Sequence, residues 1–196
     1  MCEKKNVGIL LFPDVEVLDF AGPFEVFSVT GKREGEGFFR VFTIGESLTP
    51  IKTVNGLSVN PDYKINDTPP IDILIIPGGA GSRAVLKKET ILEWVRQKAE
   101  QAEMVLSVCT GALILAQAGL LENMGATTHR SCLELLKEMA PNTRILQEER
   151  FVDNGKYIVA AGISAGIDMS LYVVARLSGP DQAKETAYYM EYDYKS

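Results

Sequence analysis

The sequence predicts an α/β fold, a flavodoxin-like sandwich in which helices cover both faces of a mostly parallel sheet. Continuous apolar runs such as VGILLF at 7–12 and IDILII at 71–76 are typical of strands that are covered on both faces. Segments with helical spacing of apolar residues lie between these runs. Strands that alternate with helices along the chain indicate a parallel sheet with crossover connections.

The predicted elements follow one another in a regular order. Strands are predicted at residues 7–12, 38–45, 71–76 and 104–108. Helices are predicted at residues 18–29, 89–102, 110–119, 131–139, 165–177 and 182–189. The Asn-Gly pairs at 55–56 and 154–155 are typical of hairpin turns, so two small hairpins are expected in addition. Pro23 comes early enough in its helix to occupy the first turn or to mark a break.

Composition and charge indicate one globular domain over residues 1–196. The chain is 46% hydrophobic, and no repeat or shift in composition divides it. A net charge of -6 without a cluster of Lys and Arg argues against nucleic acid and against an anionic membrane as partners. The first apolar run stops at Pro13, so it is too short to span a membrane, and it lacks the cleavage site of a signal peptide.

Cysteine and histidine usage bears on location and cofactors. The three cysteines, at positions 2, 109 and 132, form no CxxC pair, which fits reduced thiols in a cytoplasm. A single histidine argues against a structural zinc site, so no metal is expected. The IPGGAGS segment lacks the full spacing of a dinucleotide fingerprint and its acidic partner. We therefore expect a small-molecule substrate and no cofactor.

Cys109 is the main candidate for chemistry. In an open α/β sheet the functional crevice lies beyond the carboxyl ends of the strands. Four segments are predicted to meet there: 13–19, 77–82, 109–111 and 161–164. A tight strand-to-helix turn exposes a nucleophile, and the positive end of the helix dipole is expected to lower the pKa of the Cys109 thiol. The structural alternative is a buried cysteine that only packs, which is the commoner fate of a lone thiol.

The neighbouring segments supply candidate binding groups. If Cys109 is a nucleophile, the N–H groups of Gly79 and Thr110 are candidate donors to a developing negative charge, with Gly78 in the same turn. The alternative is a plain glycine-rich turn before a helix. Ile163, in segment 161–164, is a candidate substrate-binding residue at another strand end.

Asp19 and His129 are the candidate proton carriers. Asp19 lies between Leu18 and Phe20, which predicts either a helix N-cap or a partly buried acid with a raised pKa. His129 is the only imidazole, so a cysteine–histidine dyad would have to use it. A histidine that is merely hydrogen-bonded under a loop is the alternative.

Other polar residues receive no firm role. Glu16 is expected to be solvated and Glu25 to lie on another helical face. Cys2 is expected in a frayed terminus, and no chemistry is assigned to it or to Cys132. The sequence leaves open whether Arg83, Arg130 and Asp168 line the site or are structural.

The sequence as a whole resembles the ThiJ/PfpI superfamily, the Parkinsonism-associated deglycase group related to class I glutamine amidotransferases. The segments GILLFPDVEVLDFAGPFEVF, DILIIPGGAG, SVCTGALILAQAGLLENMGATTH and DNGKYIVAAGISAGIDMSLYVVARLSG carry the resemblance, in the order typical of the family. The Cys-Thr-Gly sequence and the LDxxGP sequence are similar to the isonitrile (isocyanide) hydratase branch. That branch also includes the amidase-like domains of AraC-type regulators.

The resemblance implies a nucleophile elbow at Cys109, an acid at Asp19 and a homodimer. Thr110 stands where the peptidase-like branch has histidine, which argues against that branch's dyad. The implied reaction is hydration of an isonitrile to an N-substituted formamide by Cys109 and Asp19, with Thr110 and Gly79 holding water or the intermediate. A glyoxalase- or deglycase-like reaction with His129 and a thiol-sensing domain without turnover are the alternatives. Arg130 replaces a tryptophan common in hydratase-like relatives, which bears on the substrate.

Overall fold

A seven-stranded sheet forms the centre of the fold. The computed structural model describes residues 4–32, 35 and 37–194. Across the sheet, the strands lie in the order β10 (Phe151–Asp153), β11 (Tyr157–Ala160), β7 (Met104–Val108), β6 (Ile73–Ile76), β1 (Lys5–Leu10), β2 (Phe39–Gly45) and β5 (Tyr63–Lys64). All neighbouring strands are parallel except β10 and β11, which form an antiparallel hairpin.

Helices cover both faces of this sheet. They are α1 (Val17–Val29), α2 (Ser82–Val85), α3 (Glu89–Gln101), α4 (Gly111–Gln117), α5 (Leu133–Met139), α6 (Ala165–Ser178) and α7 (Pro180–Tyr189). Helices α1, α6 and α7 pack against one another, whereas α2, α3 and α5 pack against α4. The strands between the two groups are buried on both sides, because every residue of β6 and β7 is buried. The predicted flavodoxin-like α/β fold is confirmed.

Both predicted hairpins are present. The first joins β3 (Ile51–Lys52) to β4 (Ser58–Val59), and the second joins β10 to β11. Gly56 and Gly155 have φ values of 85° and 84°, the left-handed conformation that an Asn-Gly turn requires of its glycine. The short elements that the sequence did not predict are β5, α2 and the pair β8 (Gly125–Ala126) and β9 (Arg144–Ile145). They contain two to four residues each, too few to show a period.

Pro23 lies in the interior of α1, so the prediction that it occupies a first turn or a break was wrong. The helix begins at Val17 and continues unbroken to Val29. Proline has no N–H, and the carbonyl of Asp19 therefore lacks the usual donor four residues later. Pro23 and Gly22 are buried where α1 packs against α6. The approach of the two helices is close here, since a Cβ at Gly22 would lie 3.0 Å from Ile167 Cγ1. The proline ring lies in this contact, since a Cβ at Gly166 of α6 would be 3.6 Å from Pro23 Cγ.

The topology brings four loops together at one edge of the sheet. Strands β11, β7, β6 and β1 are adjacent and parallel, so the segments that follow them share one end. Among the described residues, no helix has both the length and the apolar character needed to cross a membrane. No group of three or more His, Cys, Asp or Glu side chains in that part of the chain is placed to hold a metal ion.

Candidate active site

Cys109 occupies a sharp turn between β7 and α4. Its φ is 57°, the left-handed conformation that is rare for residues other than glycine. The turn is held from both sides: the Cys109 N–H donates to the Ala161 carbonyl at 2.9 Å, and Thr128 Oγ1 donates to the Cys109 carbonyl at 2.7 Å. The first residue of α4 must be glycine, because a Cβ at Gly111 would lie 2.0 Å from the Ile76 carbonyl oxygen. This geometry is that of a nucleophile elbow.

Asp19 is a fully buried acid in the first turn of α1. Glu16 is the N-cap of this helix and its side chain accepts the Val17 N–H, so the N-cap interpretation of Asp19 was wrong. Asp19 Oδ2 accepts the N–H of Gly78 at 3.0 Å, while Oδ1 has no hydrogen-bond partner among the described residues. Asp19 is 0% exposed and Cys109 is 5% exposed. Glu16 is half-buried rather than solvated.

Burial opposes the ionisation of both side chains. Burial raises the pKa of Asp19 from 3.8 to about 7, against the lowering effect of the Gly78 N–H and of the Cys109 side chain. Burial and the charge of Asp19 raise the pKa of the Cys109 thiol from 9.0 to about 12. The prediction that the helix dipole lowers the Cys109 pKa was therefore wrong. The loss of solvation and the nearby carboxylate decide the direction of the pKa shift at this helix start.

Two backbone amides face the sulfur of Cys109. The N–H groups of Thr110 and Ile163 both interact with it and lower the pKa of the thiol, although burial outweighs them. Ile163 has φ 49°, so a β-branched residue also adopts the left-handed conformation on this side of the site. The structure thus brings Cys109, Thr110, Asp19 and Ile163 together.

The double-glycine turn holds the acid and the threonine. The Gly78 N–H donates to Asp19, and the Gly79 N–H donates to Thr110 Oγ1 at 2.9 Å. Ser82 Oγ donates to the Gly79 carbonyl at 2.8 Å and lies 3.1 Å from Thr110 Oγ1. Both glycine amides therefore have partners inside the protein, which argues against the predicted role of Gly79 as a free donor to substrate. Ser82 was not singled out from the sequence, although it lies in the predicted segment 77–82.

The close approach at this turn requires a glycine at position 78. A Cβ atom there would lie 2.4 Å from the Thr110 nitrogen and 2.9 Å from Asp19 Oδ2. Any side chain at this position would push the acid away from the elbow.

An open cleft of about 630 Å³ lies beside the elbow. Its lining residues come from the loop before α5, the segment before β10 and the loop after β11: Thr128, His129, Arg130, Leu133, Gln147, Glu148, Glu149, Arg150, Ala161, Gly162, Ile163 and Ser164. Cys109 and Asp19 are not among these lining residues, and the cleft borders the elbow through Ile163, whose N–H faces the Cys109 sulfur. Five charged or amide side chains of the lining make it a polar cleft.

His129 lies in the cleft wall rather than against the sulfur. Its Nδ1 is 2.7 Å from Ser131 Oγ and accepts the Ser131 N–H at 3.3 Å. The ring lies over Gly162, where a Cβ would be 2.7 Å from His129 Cδ2. These contacts correspond to a histidine that caps the turn at Arg130–Cys132, the structural alternative of the sequence analysis. Arg130 is exposed beside it.

The family follows from comparison with known proteins. The model of the DJ-1/PfpI family matches residues 5–176. The chain belongs to the DJ-1/PfpI family. An isonitrile hydratase of Pseudomonas putida is 36% identical over 187 residues, which cover 95% of this chain and 78% of the relative. A crystal structure of a THiJ/PfpI family protein from Pseudomonas syringae has a TM-score of 0.88 and 29% identity, and the match covers 99% of this chain and 77% of that one.

Members of the DJ-1/PfpI family differ in function. The HTH-type transcriptional regulator GbdR of Pseudomonas aeruginosa is 25% identical over 175 residues, covering 89% of this chain but 47% of the regulator. This DJ-1/PfpI chain thus spans about half the length of that relative. Both an enzyme and a regulator are thus similar to this chain, and its activity is inferred from the chemistry of the site.

The remaining candidates lie around this DJ-1/PfpI site. Arg83 Nη2 donates to the buried Cys132 sulfur at 3.1 Å. This contact joins α2 to the start of α5. Asp168 binds Arg150 at the cleft wall, a contact that no local sequence signal indicates. Cys2 lies outside the described residues.

Proposed function

We propose that this protein is an enzyme that adds water to an isonitrile and releases an N-substituted formamide. The observation that carries the proposal is the fully buried Asp19, whose pKa is raised to about 7 next to the Cys109 thiol. An acid with this pKa can both give and take a proton at neutral pH. The 36% identity to an isonitrile hydratase supports the same chemistry.

The first step forms a carbon–sulfur bond. Asp19 gives its proton to the terminal isonitrile carbon as the Cys109 sulfur bonds to that carbon, and the carboxylate receives the thiol proton. The product is a thioimidate, R–N=CH–S–Cys109, and Asp19 is protonated again. No free thiolate has to exist beforehand, which agrees with a thiol whose pKa is raised to about 12.

The second step consumes water. Water attacks the thioimidate carbon while Asp19 takes a proton from the water and supplies one to the nitrogen. The carbon–sulfur bond then breaks, and the hydroxyl proton passes through Asp19 to the sulfur. The formamide R–NH–CHO leaves and both side chains return to their starting protonation states.

The surrounding groups fix the reacting pair. The Thr110 and Ile163 N–H groups stabilise negative charge on the sulfur while it accepts and releases the carbon. Gly78 orients Asp19 through Oδ2, which leaves Oδ1 free to exchange protons with substrate. Thr110 Oγ1 contacts the glycine turn, and we assign it to holding the elbow against that turn.

The test is turnover of a simple alkyl isonitrile by the purified protein, followed as appearance of the formamide. We expect turnover by the wild type, and a loss of at least about 100-fold in Cys109→Ala because the nucleophile is gone. Cys132→Ala is the matched control, since it removes another buried thiol and should retain turnover. No formamide from several isonitriles, or equal rates in Cys109→Ala and the wild type, would contradict the proposal.

A variant at His129 separates this reaction from the glyoxalase alternative. The steps above use no imidazole, so His129→Ala should hydrate the isonitrile at a rate within about threefold of the wild type, a loss well below the usual contribution of a general acid or base. Consumption of methylglyoxal that depends on both Cys109 and His129 would instead favour glyoxalase chemistry.

A further inference from the structure

We propose that Arg150, Asp168 and Tyr192 are positioning residues for the active site. Through Ser164 they hold the loop after β11 so that the Ile163 N–H stays directed at the Cys109 sulfur. The role in turnover rests on the proposed function, whereas the role in placing the amide rests on the geometry alone.

Arg150 connects the body of α6 to the residue that precedes it. Its Nε donates to Asp168 Oδ2 at 2.8 Å, and Nη2 binds the same oxygen. Nη1 and Nη2 also lie 3.3 Å and 3.4 Å from Ser164 Oγ, and Ser164 is the N-cap of α6. A planar guanidinium with two partners fixes their relative orientation better than a flexible ammonium would.

Tyr192 completes the contacts of Asp168. Its hydroxyl donates to Asp168 Oδ1 at 2.8 Å, so both oxygens of the carboxylate have partners. The Tyr192 N–H donates to the Ala187 carbonyl at 2.9 Å, which ties the segment after α7 to the last turn of that helix. A carboxylate held at both oxygens cannot rotate away from Arg150.

The backbone provides a second connection from the same residue to the elbow. The Ala161 N–H donates to the Arg150 carbonyl at 2.9 Å, and the Ala161 carbonyl accepts the Cys109 N–H at 2.9 Å. Arg150 therefore contacts the loop after β11 at Ala161 through its backbone and at Ser164 through its side chain. Ile163 lies between these two points.

Ile163 needs such restraint because of its conformation. A β-branched residue with φ 49° is strained, and strained residues persist only where their surroundings hold them. If Ser164 were released, the loop would relax towards an ordinary conformation and the Ile163 N–H would turn away from the sulfur. The contacts at Ala161 and Ser164 thus keep this unfavourable backbone in place.

The chain contains a matched control for this arrangement. Tyr172 donates to Asp153 Oδ2 at 2.7 Å, and Arg176 Nη1 lies 3.2 Å from the same oxygen. Arg176 also donates to the Gly155 carbonyl at 2.9 Å. This second Tyr–Asp–Arg group holds the β10–β11 turn, at the end of β11 opposite to Cys109.

The experiment compares the same substitutions in the two groups. Asp168→Asn and Tyr192→Phe test the positioning residues, and Asp153→Asn and Tyr172→Phe are the controls. For each variant we measure the rate of Cys109 alkylation by iodoacetamide at a fixed pH near 8, with the site identified by mass spectrometry. The kcat and KM for an alkyl isonitrile and the melting temperature are measured in parallel.

We expect the two site variants to alkylate Cys109 about three- to tenfold more slowly, because loss of one N–H donor raises the thiol pKa. Their kcat should fall by a similar factor with KM nearly unchanged, and the control variants should match the wild type in both. An unchanged alkylation rate, an equal effect in the controls, or a change confined to KM would overturn the proposal. Alkylation needs no isonitrile, so a wild type without turnover would contradict the proposed function and not this inference.

Discussion

Asp19 and Cys109 are two ionisable side chains in one buried volume. Neither is stabilised in its charged form by solvent, and a charge on Asp19 makes a charge on Cys109 costlier. When the pair loses one proton near neutral pH, that proton therefore leaves the carboxyl of Asp19 and not the thiol of Cys109. This order distinguishes the pair from a cysteine nucleophile activated in advance as a thiolate.

The pH dependence of turnover tests the proton-carrying role of Asp19. Since its pKa is about 7 in the folded protein, the required protonated form is complete below about pH 6 and is lost as pH rises through 7. We expect kcat/KM for a neutral isonitrile to be level at low pH and to fall about tenfold per pH unit above about pH 8.

Substitution of the same residue completes this test. Asp19→Asn should lower kcat/KM by at least about 100-fold, because an amide cannot carry the proton. A rate that rises continuously with pH in the wild type would show that a preformed thiolate attacks, and would contradict the role given to Asp19.

At the scale of elements, the elbow depends on contact between the start of α4 and the end of β6. Gly111 lies directly against the Ile76 carbonyl, so the helix begins without any room for a side chain. At the other end of the same helix, Gly119 has φ 75°, and apart from its chain neighbours no atom of the described residues lies within 4 Å of where its Cβ would be. Close contact with the backbone requires glycine at position 111, whereas the left-handed conformation favours it at position 119.

This difference predicts different costs for alanine at the two positions. Gly111→Ala should reduce the free energy of unfolding by about 3 kcal/mol or more and abolish turnover, because the elbow must move. Gly119→Ala should cost about 1 kcal/mol, the price of a left-handed alanine, and retain turnover. Urea unfolding and formamide production measure both, and similar losses in the two variants would contradict the argument.

Elements with a long pattern or a specific turn signal could be predicted from the sequence, whereas their tertiary contacts could not. The Asn-Gly pairs at 55–56 and 154–155 and the apolar runs ending at Ile76 and Val108 predicted hairpins and central strands correctly. The raised pKa of Asp19 was one of two interpretations, and the N-cap at Glu16 together with the burial of Asp19 decides between them.

Long-range contacts account for what the sequence did not reveal. The link from Tyr192 through Asp168 to Arg150 joins residues up to 42 positions apart in sequence, and no local period marks it. The pKa of Cys109 was predicted in the wrong direction because position at a helix start says nothing about burial.

At the scale of the whole molecule, the site makes folding depend on pH. The four loops are joined by backbone hydrogen bonds, such as Glu16 N–H to the Gly78 carbonyl at 2.9 Å and Gly81 N–H to the Asp14 carbonyl at 3.0 Å. These contacts enclose Asp19, whose ionisation the folded protein opposes and the unfolded chain does not. Stability is therefore coupled to the charge of one buried carboxyl in the candidate site.

The sign of this coupling is a fall in stability as pH rises. Asp19 has a pKa of about 7 when folded and an ordinary value of 3.8 when unfolded, so unfolding releases a proton between these pH values. We expect its contribution to reduce the free energy of unfolding by roughly 4 kcal/mol between about pH 3 and pH 8, and to stay constant above that. Urea unfolding of the wild type and Asp19→Asn over this range isolates the contribution as their difference.

Glu25→Gln, at an exposed carboxyl on the same helix, is the control. A parallel pH profile of stability in the wild type and Asp19→Asn would contradict the prediction.

The proton that Cys109 retains also governs its oxidation. Peroxide oxidises thiolates to sulfenic acid, and a thiol with a pKa of about 12 is ionised to only about one part in 10⁵ at pH 7. We therefore expect peroxide to oxidise Cys109 more slowly than an exposed thiol of ordinary pKa. In the proposed reaction the thiol gives up its proton only as the sulfur bonds to the substrate carbon. Slow oxidation by peroxide and activation by substrate then have the same physical origin, a buried thiol beside Asp19.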